Sequence, residues 1–324
     1  MHAFTSHVVP SSIQFCKPLL FNVLVSAHCV LVRRPMISGL CRSRSIDGDT
    51  MNIDEAPPAR HAAHLDAGFS ADPLPSLSAA DINALAHAMD TTGFAVLHDV
   101  ITAPLIESMR VYIDGELKRR NDEYLGLAGP DWILDSPLAA LSTSGALHTM
   151  LAGLYRHEMK QGPAESRIAT SIRVLSGGTG AKHSWLFHYD SYVVTALIPL
   201  QIPDGQGELP GDLVMYPNLR RVRRRPMFNI VEKLVVESPL ACGLWKRSAV
   251  QRAMSARTLR MQPGNIYFFW GMRSLHANQP CLPTSVRCTA LFHFGDPHAG
   301  SLFKRLSARH HQARLRRLSR AAAK

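Results

Sequence analysis

The chain has 324 residues, 46% of them hydrophobic and 19% charged, which excludes a disordered or fibrous polymer and supplies apolar surface for a core. The net charge of +11 sits at the ends: residues 304–324 hold eight Lys/Arg and no acid, residues 1–50 hold five basic and two acidic side chains, and 51–303 balance. That distribution excludes a nucleic-acid-binding fold spread over the whole body.

Residues 1–50 are expected to be an unstructured extension, or a mis-set start before Met51. PLLFNVLVSAHCVLV (18–32) is too short and too interrupted for a membrane span, and its arginines follow it, whereas a secretory signal carries its charge first. An organellar transit peptide is the alternative. Residues 51–78, rich in Ala, Pro and His, read as a lead-in to a domain over 79–303. SAADINALAHAMDTTG predicts a helix with Ser78 as N-cap, Ile82, Leu85 and Met89 at helical spacing, and Gly93 at its end. FAVLHDV reads as a strand, TAPLIESMRVYIDGELKRR as an amphipathic helix from near Thr102, and 132–160 as helical or irregular, most clearly from Ala146 to Met159.

From about Ile168 the texture changes to strands and turns. RIATSIRVL ends at SGGTG. SWLFHYDSYVV (184–194) then reads as a buried strand running on through TALIPLQI. LPGDLVMYPN and MQPGNIYFFW each set a Pro-Gly turn before a strand, and RCTALFHF is a further strand. A helical insert near 226–256 separates the two Pro-Gly strands, and a basic tail over 304–324 closes the chain. The pattern predicts a mainly β fold with flanking helices (α+β), a barrel or sandwich. Six cysteines without a C-x-x-C pair disfavour zinc-ribbon, thioredoxin-like and disulfide-scaffold readings, and a reducing, cytoplasmic setting is expected.

The chemistry concentrates in few residues. His188 and Asp190 share one face of the expected strand, where two buried polar groups cost free energy unless something satisfies them. The spacing alone decides nothing: sixteen His and sixteen Asp in this length give about one His-x-Asp by chance, and His64-Leu65-Asp66 is such a pair. His276 follows the aromatic run IYFFW, and Arg287 comes eleven residues later with Thr289 on its strand face. Two imidazoles and one carboxylate occupy one side of an iron coordination sphere and leave positions open. A buried arginine offers a fork for a carboxylate. The alternatives are a structural His–Asp pair, a loop histidine at 276 and a strand-edge arginine. Five arginines in 220–225 read as a solvated turn or as a clamp for an anionic substrate.

The arrangement His188-x-Asp190, His276 and Arg287, with GFAVLHDVITAPLIESMR upstream, resembles the phytanoyl-CoA dioxygenase-like branch of the Fe(II)- and 2-oxoglutarate-dependent oxygenases, over roughly residues 80–296. The resemblance implies a double-stranded β-helix, a jelly-roll or cupin-like barrel. It implies Fe(II) on His188, Asp190 and His276, and 2-oxoglutarate on Arg287 and Thr289, with Lys182 as a further candidate. The implied reaction hydroxylates a small organic molecule while 2-oxoglutarate and O2 become succinate and CO2. His183, Tyr192, His293 and Trp270 are candidate substrate-pocket residues. Asp190 favours hydroxylation over halogenation, and His293, where nucleic-acid demethylases carry a second arginine, weakens a repair reading. No specific nucleic acid and no membrane span are expected. The rival readings are an inactive scaffold that binds nucleic acid or an acidic partner through its basic ends, and a barrel using another divalent metal.

Overall fold

A computed structural model describes residues 72–122, 124–163, 165–204 and 209–299, all within the unit Asp66–Lys324. The expectations for residues 1–50, for most of the lead-in and for the basic tail, with any partner held there, lie outside the described residues. The first described helix, α1 (Ala79–Thr91), starts where Ser78 accepts from the Asp81 backbone while Asp81 accepts from that of Ser78, a capping box. Then come β1 (Phe94–Leu97), α2 (Ala103–Lys118), β2 (Leu125–Ala128), the short α3 (Pro130–Leu134) and α4 (Ala139–Ser142), and α5 (Gly145–Met159). The remaining elements in chain order are β3 (Ala169–Leu175), α6 (Gly177–Lys182), β4 (Val194–Gln201) and β5 (Leu213–Tyr216). After them come α7 (Pro226–Val236), α8 (Pro239–Trp245), α9 (Ser248–Ala253), β6 (Arg257–Leu259), β7 (Ile266–Trp270), β8 (Leu275–Asn278) and β9 (Arg287–Phe294).

The strands form two antiparallel sheets, a large one in the order β1-β7-β4-β9-β3-β2 and a small one in the order β6-β5-β8. An isolated bridge from His188 to His276 adds residue 188 to the small sheet beside β8. From β3 onward the chain visits the large sheet, the small sheet at His188, the large at β4, the small at β5 and β6, the large at β7, the small at β8 and the large at β9. That alternation is the connectivity of a double-stranded β-helix.

Period-two alternation sorts the side chains. Outward residues of the large sheet, among them Ile172, Ala196, Phe268 and Phe292, pack on Met89 of α1, Met109 of α2 and Met150 of α5. Inward ones, Leu197, Tyr267 and Phe269, meet Leu213 and Met215 across the barrel. Each such buried side chain contributes about 1.5–3 kcal/mol of burial free energy. The outer face of the small sheet (Val214, Tyr216, Leu275) is covered by Val236, Cys242 and Trp245 of the helical insert.

One expected strand is absent. Residues 184–193 are irregular apart from the bridge at His188, and β4 begins only at Val194. The segment crosses between sheets: the Trp185 and His188 amides donate to β8 at Asn278 and His276, whereas the Asp190 amide donates to Gly271. A segment that leaves β8 after His188 and turns to Gly271 at Asp190 cannot pair continuously with either sheet. SGGTG turns into α6 rather than a plain turn, and the short strands β2 and β6 complete the sheets.

Candidate metal centre

The crossing segment places its polar residues at the mouth between the sheets. His188 and His276 are register partners whose backbones exchange both hydrogen bonds, at 3.0 and 3.1 Å. Asp190 sits two residues further on, held by its amide to Gly271. A Cβ at Gly271 would lie 2.5 Å from Thr195 Oγ1 and 2.7 Å from Asp190 Oδ2, so only glycine lets the β7–β8 turn approach this closely. The nearest ligand atoms of His188, Asp190 and His276 lie within 4.8 Å of one another. Each imidazole Nε2 is 3.7 Å from Asp190 Oδ1.

Hydrogen bonding fixes what those atoms present. His188 Nδ1 donates to the Leu186 carbonyl at 2.9 Å and His276 Nδ1 to the Ser274 carbonyl at 3.0 Å. A carbonyl oxygen only accepts, so both Nδ1 atoms carry the proton and both Nε2 atoms point a lone pair inward. Burial, with His276 alongside, pulls the His188 imidazole down to about 3, so it is neutral at physiological pH. Burial also disfavours the charge on Asp190, but the neighbouring imidazoles, when protonated at acid pH, and the Thr195 hydroxyl outweigh it and hold the carboxyl below its ordinary range, so it is ionised where the imidazoles are neutral. Two lone pairs and a carboxylate oxygen facing one another with no proton between them repel; a divalent cation at their centre satisfies all three.

The other carboxylate oxygen is held from behind. Thr195 Oγ1 donates to Asp190 Oδ2 at 2.6 Å, and that hydroxyl lies 3.0 Å from His293 Nδ1. The single hydroxyl proton is committed to the carboxylate, so His293 donates, and the chain His293–Thr195–Asp190 orients one candidate ligand, as outer hydrogen bonds do in metal sites. Tyr192 stacks on His293 with ring centroids 5.4 Å apart.

Arg287 is fully buried at the start of β9. One terminal nitrogen donates to Asn278 Oδ1 at 2.9 Å, while Nε and the other terminal nitrogen have no hydrogen-bond partner. Burial pulls its pKa down to about 10, so the guanidinium stays charged. Among the described residues no carboxylate lies within ion-pair distance of it. Asn278 is two residues from His276 on the same face of β8, about 7 Å along the strand. Arg287 is thereby tied to the strand that carries His276, with two of its donors left unpaired. Thr289, nearly fully buried, follows on the same inner face.

The remaining candidates divide. His183 stacks on Tyr124 at 3.6 Å between ring centroids, and Arg173 helps hold its pKa below the ordinary value, after burial. Lys182 is exposed at the end of α6 and makes no hydrogen bond to the triad. Trp270 is not a pocket residue: strand alternation turns it to the helix side, where its indole donates to Asp90 Oδ1 at 3.0 Å and stacks on His157. The arginine cluster is neither a plain solvated turn nor a free clamp. Arg220 is buried over the Tyr189 ring and bonded to Glu232 and Asn229, and Arg223 grips Glu232 with two donors; Arg221, Arg224 and Arg225 are exposed.

Sequence reasoning missed Thr195, Asn278 and Arg173. Arg173 pairs with Thr289 across β3 and β9, so it faces the barrel interior, and among the described residues its guanidinium donates no hydrogen bond. Its charge helps hold His183, His188 and Arg287 below their ordinary values. The available signal was Arg173 set between the apolar Ile172 and Val174 of a strand, in RIATSIRVL.

No protein-family model and no curated protein matches the chain. Among solved structures it is similar to a prolyl 4-hydroxylase from Phytophthora capsici at 13% identity and a TM-score of 0.45, over 70% of this chain and 69% of that one. It is similar to HygX from Streptomyces hygroscopicus, determined with nickel and 2-oxoglutarate bound, at 15% identity and a TM-score of 0.44, over 68% of this chain and 88% of that one. A third is the alpha ketoglutarate dependent carbocyclase SnoK from nogalamycin biosynthesis, at 14% identity and a TM-score of 0.42, over 68% of this chain and 87% of that one. At such identities and scores the likenesses carry no chemistry across, and the reading of the site rests on the chain's own geometry.

Proposed function

We propose that the chain is a non-haem Fe(II)- and 2-oxoglutarate-dependent dioxygenase that hydroxylates a small organic molecule, with 2-oxoglutarate and O2 converted to succinate and CO2. The observation that carries this reading is the pairing of three inward-facing ligand atoms with a buried, half-unpaired arginine of β9, bonded to Asn278, which lies two residues (about 7 Å) from His276 on the same face of β8. A triad alone suits several metals. The triad beside an anion-hungry guanidinium suits a metal whose co-substrate is a short diacid.

His188, Asp190 and His276 would hold the iron, which when bound supplies the oxidising chemistry with O2 and the keto acid. The chain's own residues position and exclude. The carbonyls of Leu186 and Ser274 keep both imidazoles in the ligand tautomer, and Thr195 keeps one carboxylate oxygen turned toward them. Arg287 pairs with the distal carboxylate of 2-oxoglutarate, and Asn278 fixes the angle of its fork. Phe269, packed edge-on to His276 with centroids 5.0 Å apart, helps keep water from that ligand. His293, Tyr192 and Arg173 line the inner wall where the primary substrate would lie. The phytanoyl-CoA dioxygenase-like branch is supported by the sequence pattern at 188, 190, 276 and 287.

Anaerobic titration of the purified protein with Fe(II) and then 2-oxoglutarate should raise the weak visible absorption of an iron–keto acid chelate. On admission of air, slow uncoupled formation of succinate should follow. Folded protein that binds neither iron nor keto acid refutes the proposal.

A further inference from the structure

The helical insert covers the small sheet with Val236, at the end of α7, and with Cys242 and Trp245, but most of α7 is turned the other way. On α7 the buried side is polar: Asn229 and Glu232 take the guanidiniums of Arg220 and Arg223, and Lys233 reaches Ser191 Oγ at 3.3 Å. Just past the helix, Glu237 accepts from the Tyr189 amide at 3.2 Å. The opposite side is apolar and faces outward. Met227, Phe228, Val231, Leu234 and Val235 are all exposed, Phe228 at 62%, and Leu240 on α8 continues the patch at 90%. Soluble helices turn such residues to the core. Here the arginine–glutamate pairs pin the helix the other way, so rolling Leu234 inward would break a two-donor ion pair.

The charge around this patch has one sign. Between Arg220 and Arg260 the chain carries eleven Lys/Arg and two acids, Glu232 and Glu237. Both acids are already engaged, Glu232 with Arg220 and Arg223 and Glu237 with Lys233. Arg221, Arg224 and Arg225, directly before α7, and Lys246, Arg247 and Arg252, after α8, remain exposed. The balance of 51–303 as a whole thus hides a strongly basic insert. A second copy of the chain is a poor occupant, because pairing two such faces brings like charges together. An exposed apolar helix face flanked in sequence by exposed arginines complements a surface that is apolar beneath and anionic above, which describes a bilayer of acidic phospholipid.

We propose that α7 and α8 dock the protein on anionic membrane surfaces, with the apolar face among the acyl chains just below the headgroups and the arginines on lipid phosphates. Among the described residues no helix is long and apolar enough to cross a membrane, so the element lies on the bilayer. At 11 residues, α7 covers about 16 Å of surface. Its inner side rests on Tyr189 and Ser191, which flank Asp190, so docking would bring the mouth of the barrel within about one helix diameter of the lipid. This inference stands apart from the metal reading and survives its failure.

The test is sedimentation of the full chain with vesicles of phosphatidylcholine alone and of phosphatidylcholine mixed with phosphatidylserine. The wild type should partition onto the mixed vesicles and weakly onto the neutral ones, and added salt should release it. Phe228→Asp with Leu234→Asp should lower the partition coefficient at least about tenfold, because these side chains then cannot enter the lipid. Both positions are exposed, so the thermal melt should not move. Arg221→Gln with Arg224→Gln and Arg225→Gln should weaken binding to the mixed vesicles alone, and serves as the second variant set should the first fail to fold. Wild-type protein that stays in the supernatant overturns the proposal. So does a folded Phe228/Leu234 variant that partitions like wild type, which would assign binding to the basic ends. A concentration-dependent dimer abolished by that variant, without vesicle binding, assigns the face to a second copy and also overturns it.

Discussion

Replacing Arg287 with methionine separates a ligand-binding arginine from a structural one. In the wild type the buried guanidinium has one satisfied terminal nitrogen, on Asn278, and two unpaired nitrogens. A hydrogen bond to a charged group is worth about 1.5–3 kcal/mol, so two bonds to a keto-acid carboxylate amount to about 3–6 kcal/mol, or roughly 10²- to 10⁴-fold in Kd. The effect on folding should be small. Losing the arginine leaves Asn278 Oδ1 unpaired, at about 1–3 kcal/mol, but it also removes two buried unpaired donors and a buried charge, so the terms largely offset. A net change within about 2 kcal/mol shifts Tm by less than about 8 °C in a domain of this size. Calorimetric titration of 2-oxoglutarate into Mn(II)-loaded wild type and Arg287→Met, with a thermal melt of each, reads both quantities. Unchanged keto-acid affinity, together with a fall in Tm well beyond that range, would show that Arg287 holds the fold and would refute the reasoning.

Asp190→Ala should abolish stoichiometric binding of Fe(II), measured by metal analysis after desalting, since the two imidazoles alone leave the centre without its charged ligand. Gly211→Ala should weaken 2-oxoglutarate binding and cost about 1–2 kcal/mol of stability: Gly211 sits at φ +68, and an added Cβ would fall 2.4 Å from Arg287 Cδ. Trp270→Phe should lose about 1–2 kcal/mol in a denaturant melt through its bond to Asp90, and an unchanged melt would show that this bond does not hold the helix side of β7. Burial disfavours the Asp90 charge, but hydrogen bonds from His157, Arg273 and Trp270 outweigh it and depress its pKa. Its contribution is therefore present above the ordinary carboxyl pKa and is lost as pH falls through the lower folded value, so Asp90→Asn should flatten that acid-side decline in urea melts.

Much of the barrel was legible because its signals are local. The N-cap at Ser78 and the Pro-Gly turns before β5 and β7 each need only a few neighbouring residues to state their geometry. Residues 184–193 misled because aromatic and β-branched content reports burial, and burial is real there: Phe187 and Tyr189 are inside, although the backbone pairs with two different sheets. Trp270 misled for a related reason. It belongs to a strand beside the site, and its direction depends on which of two buried faces looks into the barrel, a distinction that an all-apolar strand does not display. The outward apolar face of α7 was hidden because periodicity reveals two faces without saying which one turns inward. Arginines at positions 220 and 223 decided that, and they lie outside the helix.

The backbone bridge between His188 and His276 has a consequence for how the chain can change. The two residues are 88 positions apart, yet the gap between their rings is set by one pair of ladder hydrogen bonds. A slip of one residue in β8 would turn His276 outward and bring Leu275 or Ala277 in, so that register is rigidly constrained. Length elsewhere in the interval is not. The connection from β5 to β6 can gain, lose or exchange helices without altering the spacing of the imidazoles. Selection can therefore rebuild the insert, and with it whatever the protein meets at its surface, while the spacing of the two imidazoles is inherited unchanged.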